Sequence, residues 1–179
     1  MAHVCPWWLA YTFDNPLRRL IHRPETILGP HVRPGQVVAD FGCGMGYFGI
    51  ALARLVGPQG RVYAVDLQER MLSILMARAA RAGVAARILP RLVRAGELAV
   101  TEPLDFALAF WMLHEVPAPR PFLTEIRQLL KKGGRLLVVE PRGHVGPAVF
   151  EDEIALAVSA GFEVLDRPAV ALSRGVLLG

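Results

Sequence analysis

The sequence is poor in cysteine, in lysine and in long apolar runs. Its two cysteines, Cys5 and Cys43, are too few for a disulfide framework and favour a reducing cytoplasm. The apolar runs fall far short of the roughly 20 residues needed to span a bilayer, and the apolar stretch at 4–13 has no basic segment before it, so no signal peptide is expected. We therefore expect a cytoplasmic protein without a membrane anchor.

Positive charge is present but dispersed. The formal net charge is +4, and lysine is limited to Lys131 and Lys132, so the basic surplus is carried by arginines scattered along the chain. Nucleic-acid-binding proteins more often cluster their basic residues. Metal binding is not expected either, because His3 and Cys5 near the terminus do not form a ligand set. Nothing in the composition decides whether the chain forms a homodimer.

Strand and helix patterns alternate from Val32 onward and predict a doubly wound α/β fold, with a mostly parallel sheet and helices on both faces. The predicted strands are 37–41, 62–66, 86–89, 106–110, 135–140, 162–165 and 170–178, and the predicted helices are 47–56, 69–81, 122–130 and 154–160.

The first 34 residues differ from the rest. This segment carries four large aromatic residues, Trp7, Trp8, Tyr11 and Phe13, and is interrupted by prolines. We interpret residues 1–34 as a flank that covers the substrate, and residues 35–179 as the ligand-binding domain. A flank that simply packs on the edge of the sheet is the alternative.

A glycine-rich turn follows the first predicted strand, where open parallel sheets bind their ligands. Gly42, Gly44 and Gly46 alternate along this turn and allow the backbone to approach a ligand closely. Asp66 ends the next strand, 20 positions after Gly46. At this sequence separation a carboxylate can accept hydrogen bonds from ribose hydroxyls. Together these residues predict a nucleoside-binding site.

Residues 44–49 also spell the G-x-G-x-x-G pattern of dinucleotide-binding proteins. In those proteins the first glycine follows the strand directly, a place that Gly42 occupies here. Asp40 would also repel a pyrophosphate, whereas a cationic ligand suits it. S-adenosylmethionine carries a sulfonium, an ammonium and a ribose but no phosphate, so it is the predicted cofactor.

Four segments carry a resemblance to class I S-adenosylmethionine-dependent methyltransferases. These are 37–46 (VVADFGCGMG), 62–66 (VYAVD), 104–108 with 113–116 (LDFAL and LHEV), and 130–137 (LKKGGRLL). The resemblance covers 37–179 and implies a Rossmann-like seven-stranded sheet with an antiparallel last strand. It also implies that the methionine moiety lies near Asp40 and Gly42, the ribose at Asp66 and the adenine beside Leu67.

Two further residues, Cys43 inside the glycine turn and Phe110 at the end of the fourth strand, complete the predicted cofactor contacts. Cys43 is expected chiefly to pack, because the turn needs a small residue there. The sequence departs from the family after the third strand, where 89–94 lack the usual acidic residue near the adenine. Glu97 or a backbone carbonyl is left to make that contact.

The reacting methyl group is expected near the end of the fourth strand, which indicates Phe110, Trp111 and His114. His114 titrates in the range suited to proton transfer and is the candidate catalytic residue, with capping or packing of the next helix as the alternative. Glu140, at the end of the fifth strand, would meet a substrate cation or form a structural salt bridge.

These observations predict an S-adenosylmethionine-dependent methyltransferase that acts on a small-molecule acceptor. Two alternatives stay open, a nucleic-acid (RNA) methyltransferase and a non-catalytic S-adenosylmethionine-binding regulatory subunit. The sequence does not decide whether the acceptor atom is oxygen, nitrogen, carbon, sulfur or a metalloid.

Overall fold

The structure is a computed structural model that describes residues 21–179. The four aromatic residues of the flank, Trp7, Trp8, Tyr11 and Phe13, lie outside the described residues. Among those described, the α-helices are α1 (Pro24–Leu28), α2 (Tyr47–Leu55), α3 (Glu69–Arg81), α4 (Pro119–Leu129) and α5 (Pro147–Ser159). The strands are β1 (Val37–Phe41), β2 (Arg61–Asp66), β3 (Ile88–Leu92), β4 (Leu104–Phe110), β5 (Leu130–Pro141), β6 (Val164–Asp166) and β7 (Ser173–Leu178).

The strands form one seven-stranded sheet in the order β3-β2-β1-β4-β5-β7-β6. β1 to β5 are parallel to one another, whereas β7 runs antiparallel to both β5 and β6. The predicted fold, a mostly parallel doubly wound sheet with an antiparallel last strand, is therefore confirmed. The strand order reverses between β1 and β4, so a crevice opens beyond the carboxyl ends of these strands, where such sheets bind ligands.

Alternation along the strands divides the apolar core between the two faces of the sheet. Val38 on β1 belongs to one buried cluster together with Leu52 of α2 and Leu75 of α3. Phe41, on the opposite face, packs with Ile126 of α4 and Ile154 of α5 in the second cluster. Because both faces are covered, the central strands consist almost entirely of apolar residues, as expected for a buried parallel sheet.

Several element boundaries differ from the predicted ones. β3 occupies Ile88–Leu92 rather than 86–89, because Ala85–Arg87 form a 3₁₀ turn before it. α4 and α5 begin earlier than predicted, and each has a proline in its first turn, where the missing N–H of proline costs nothing. No helix within residues 21–179 is long and apolar enough to cross a membrane.

Candidate functional site

The glycine turn after β1 holds its backbone in the left-handed region. Gly42, Gly44 and Gly46 have φ angles of 67°, 52° and 86°, values that residues with a Cβ adopt at a cost. Gly46 is also the residue immediately before α2. The three glycines thus turn the chain sharply from the carboxyl end of β1 into α2.

The surroundings of the three glycines differ. A Cβ on Gly42 would lie 2.8 Å from Cβ of Met112, and one on Gly46 would lie 2.7 Å from Cγ of Leu75, so packing requires glycine at both positions. A Cβ on Gly44 would meet no atom within 4 Å. Gly44 therefore presents its backbone to open space, and this open side of the turn fits a ligand that contacts the main chain.

Asp66 connects β2 to the glycine turn. Its Oδ2 accepts a hydrogen bond from the N–H of Gly44 at 2.8 Å, and its Oδ1 accepts one from the N–H of Gln68 at 2.9 Å. Burial raises the pKa of Asp66, while these backbone N–H groups act in the opposite direction. A carboxylate offers about four acceptor positions, so Asp66 keeps capacity to accept a hydrogen bond from a ligand hydroxyl.

Asp40 and Cys43 both lie below the surface of the turn. Asp40 is only 2% exposed, and its Oδ2 lies 3.1 Å from where a Cβ on Gly49 would stand, so the side chain is directed at the first turn of α2. Burial, with the charges of Asp40 and Asp66, raises the pKa of the Cys43 thiol well above its ordinary value. Such a thiol is a poor nucleophile, in agreement with a packing role.

Leu67 and Glu97 flank the region predicted for the adenine. Leu67 exposes 37% of its surface directly after Asp66. Glu97 uses Oε2 to accept a hydrogen bond from the N–H of Arg94 at 3.0 Å, so it caps its own loop. The N–H of Val93 donates to the carbonyl of Asp66 at 3.1 Å and holds this loop against the end of β2.

Aromatic rings gather at the carboxyl end of β4. This ring cluster consists of His22, Phe48, Phe110 and Trp111, with ring centroids of adjacent members 4.1 to 5.5 Å apart. Trp111 has a φ of 60° although it is not glycine, a conformation that tertiary contacts must maintain. Its N–H donates to the carbonyl of Val139 at 2.7 Å, and its indole Nε1 donates to Ser173 Oγ at 3.0 Å.

His22 brings the N-terminal flank to this edge of the sheet. The imidazole Nε2 donates to the carbonyl of Ala171 at 2.8 Å, and the Tyr47 hydroxyl donates to the carbonyl of His22 at 2.6 Å. Sequence analysis indicated Phe110 and Trp111 but missed His22. A single histidine in a segment without periodicity gives no signal that would have found it.

His114, which follows β4, and Glu140, on β5, form a hydrogen-bonded pair. His114 lies in a 3₁₀ turn, Leu113–Glu115, and its Nδ1 is 2.6 Å from Oε2 of Glu140. Oε1 of the same carboxylate accepts the N–H of Leu113 at 2.8 Å and the N–H of His114 at 3.2 Å. Glu140 is fully buried. The structure therefore pairs Glu140 with His114, one of the two roles that the sequence left open for it.

The pair raises the pKa of His114, and a second buried carboxyl lies close to it. The hydrogen bond to Glu140 is the largest cause of the upward shift in the pKa of His114, and burial opposes it. Glu153 of α5, which sequence analysis missed, has its pKa raised to about 7 by burial and by the charge of Glu140. Within the described part of the chain, no three His, Cys, Asp or Glu residues are grouped so as to hold a metal ion.

Comparison with known proteins identifies similar methyltransferases. A protein family described as "Methyltransferase domain" matches residues 33–165. The demethylmenaquinone methyltransferase of Symbiobacterium thermophilum is 32% identical over 66% of this chain and 47% of its own length. A ubiquinone/menaquinone biosynthesis C-methyltransferase UbiE of a Marinomonas species is 33% identical over 67% of this chain and 49% of its own length. The chain thus spans about half the length of these curated relatives.

The fold also recurs in a solved structure. A SAM-dependent methyltransferase from Aquifex aeolicus superposes with a TM-score of 0.86 at 23% identity, and the match covers 98% of each chain. At this identity the likeness establishes the shared fold.

Proposed function

Because this chain belongs to the methyltransferase-domain family, we propose that it transfers a methyl group from S-adenosylmethionine to a small-molecule acceptor. The observation that carries the proposal is the hydrogen bond between Asp66 and the N–H of Gly44. It makes a ribose-binding carboxylate and a glycine turn with an open side into one rigid unit. Such a unit suits a nucleoside ligand without phosphates.

Different residues around the turn contact different parts of the cofactor. The backbone of residues 42–46 contacts the methionine moiety, with the Asp40 carboxylate beneath it, and Cys43 fills the turn from inside. Asp66 accepts hydrogen bonds from the ribose hydroxyls, and the exposed side chain of Leu67 packs against the adenine. Phe110 forms the apolar side of the cofactor site. When bound, this cofactor supplies a methyl group on a positively charged sulfur.

The ring cluster supports an aromatic acceptor. Its rings pack together at the carboxyl end of β4, next to the proposed methyl group. His22, Phe48 and Phe110 are buried, and Trp111 is partly exposed, so Trp111 is the ring that an acceptor would contact first. The relatives are named for quinone methylation and quinone biosynthesis, and a hydroquinone is a flat, electron-rich small molecule that suits an aromatic environment. Methyl transfer to it depends mainly on positioning and on exclusion of water. Specific support for an RNA acceptor is lacking among the described residues.

The N-terminal flank is part of the same proposal. His22 holds the described end of the flank against the ring cluster, next to the proposed acceptor site. We propose that residues 1–34 cover the acceptor. A cytoplasmic location and assembly as a homodimer are further parts of the proposal.

A transfer assay tests the function. Purified protein, S-adenosylmethionine labelled in its methyl group and 1,4-naphthohydroquinone are incubated without oxygen, and labelled product is counted. We expect labelled product from the full chain and none from a folded variant that lacks residues 1–15. Transfer to RNA in place of small molecules contradicts the proposed acceptor. Cofactor binding without transfer to phenols, amines, thiols or hydroquinones favours a regulatory subunit instead.

A further inference from the structure

We propose that Glu140 is the positioning residue of a proton-accepting pair, in which it holds the His114 imidazole with Nε2 free to take a proton from the methyl acceptor. This inference rests on the proposed function, because a proton acceptor is needed only if an acceptor that carries a proton is methylated. In that step His114 Nε2 takes the acceptor's proton as the acceptor bonds to the methyl group. The carbon–sulfur bond breaks with its electron pair left on sulfur.

The contacts of Glu140 determine the tautomer of His114. An ionised carboxylate only accepts hydrogen bonds, and Glu140 is surrounded by three N–H groups, two from the backbone and one from the imidazole. The proton of neutral His114 therefore resides on Nδ1, and the lone pair resides on Nε2. The exposed fraction of the His114 side chain is 18%, so most of the ring is enclosed while part of it stays accessible.

The same carboxylate fixes the backbone that carries His114. Oε1 receives the N–H groups of Leu113 and His114, which open the 3₁₀ turn at the end of β4. One buried residue of β5 thus sets both the position of the turn and the orientation of its side chain. This arrangement resembles the role of an acidic residue behind a catalytic histidine, which orients the ring and stabilises its charged form.

Charged groups from each neighbouring element act on the pair. Glu115 lies in the same turn, Glu140 is on β5, and Glu153 extends from α5, and all three favour the charged form of His114. The ring of His144, in the loop after β5, lies 5.3 Å from the ring of His114. Because Glu153 itself titrates near neutrality, His114 and Glu153 are expected to titrate as coupled groups.

A purely structural role for Glu140 is the competing explanation. In that case Glu140 serves only to cap the turn, and replacing it would lower stability without a specific effect on the protonation of His114. Glu140→Gln separates the two explanations, because the amide keeps the shape and one acceptor oxygen for the backbone. It removes the charge that the imidazole needs. Glu151→Gln is the matched control, since it removes a carboxylate from exposed α5 surface.

The first experiment is ¹⁵N NMR of histidine-labelled protein without any ligand. The chain has only five histidines, and His114→Gln assigns the resonance. In the wild type we expect neutral His114 to be protonated on Nδ1, with a pKa above that of a free histidine. In Glu140→Gln we expect the proton to move to Nε2, and the pKa to fall by about one unit or more, as expected when a charged hydrogen bond is lost.

The second experiment follows turnover of 1,4-naphthohydroquinone against pH. Glu140→Gln is expected to lower kcat by about 10²-fold or more with an unchanged KM for S-adenosylmethionine. Glu140→Asp, which keeps the carboxylate, is expected to retain more of the wild-type kcat than Glu140→Gln does. The double variant with His114→Gln should lose no more than the larger single loss, because the two residues act as a unit.

Two results would overturn the inference. The first is a neutral His114 in the wild type that is protonated on Nε2, a result that holds even if Glu140→Gln fails to fold. The second is a Glu140→Gln protein whose His114 titrates like that of the Glu151→Gln control. Absence of turnover in the wild type counts against the proposed function, and the NMR result then decides the role of Glu140 separately.

Discussion

At the scale of single residues, the three glycines of the turn have distinct tasks that their even spacing in the sequence conceals. Gly42 and Gly46 are required by their neighbours Met112 and Leu75, whereas Gly44 faces open space. The sequence predicted the turn from the spacing of its glycines, and the ligand from the turn together with Asp40 and Asp66. It could not separate packing glycines from the contact glycine, because that distinction depends on side chains from α3 and from the segment after β4.

We therefore expect Gly44→Ala and Gly46→Ala to have different consequences. Gly44→Ala should lower the free energy of unfolding by about 1–2 kcal/mol, the cost of a left-handed alanine, and should weaken binding of S-adenosylhomocysteine strongly. Gly46→Ala should lose a further 1–3 kcal/mol or so of stability, because its Cβ crowds Leu75. Urea unfolding and calorimetry measure both effects. Equal cofactor affinity in Gly44→Ala and wild type would show that no ligand approaches this glycine.

At the scale of secondary-structure elements, α5 carries a buried carboxyl that the sequence pattern did not reveal. Glu153 is 8% exposed and lies near enough to the His114–Glu140 pair for the charge of Glu140 to raise its pKa. The sequence predicted this helix only from residue 154, because its proline start at Pro147 was not recognised, so Glu153 was left outside it. The third strand was misplaced for a similar local reason, since the 3₁₀ turn Ala85–Arg87 has no periodicity.

Glu153 gives the stability of the protein a definite pH dependence. Its pKa is raised from 4.5 to about 7 in the folded state, so its favourable contribution is complete below pH 4.5 and is lost as the pH rises through about 7. Glu153→Gln mimics the neutral form and should be more stable than wild type at pH 8 by about 1–3 kcal/mol, with little difference near pH 4.5. Chemical denaturation at the two pH values measures this.

Glu151→Gln on the same helix is the control, because the contribution of Glu151 to stability should change with pH in the opposite direction. Arg167 lowers the pKa of Glu151, so the stabilising contribution of this exposed carboxylate is present at neutral pH and is lost on acidification. If Glu153→Gln shows no gain in stability between the acidic and the alkaline condition, Glu153 is not buried beside Glu140 as described.

At the scale of the whole molecule, the sequence predicted the architecture well because strand and helix patterns repeat along the chain. Alternating strands and helices joined by right-handed crossovers predict a mostly parallel sheet covered on both faces, and the antiparallel last strand followed from the family resemblance. Contacts between distant segments were not predictable in this way. His22 against Phe110 and Trp111, and Glu140 against His114, join parts of the chain that only the folded sheet edge brings together.

The central claim is that the edge formed by the glycine turn and Asp66 binds S-adenosylmethionine, and calorimetry with its demethylated product tests it most directly. We expect S-adenosylhomocysteine to bind the wild type, and Asp66→Ala to weaken binding by about 1.5–3 kcal/mol, as for loss of charged hydrogen bonds. Asp105→Ala, which removes another carboxylate that accepts a backbone N–H, from Val37 at the start of β1, should bind as the wild type does. No heat at millimolar S-adenosylhomocysteine, together with tight binding of a nicotinamide dinucleotide, would contradict the claim.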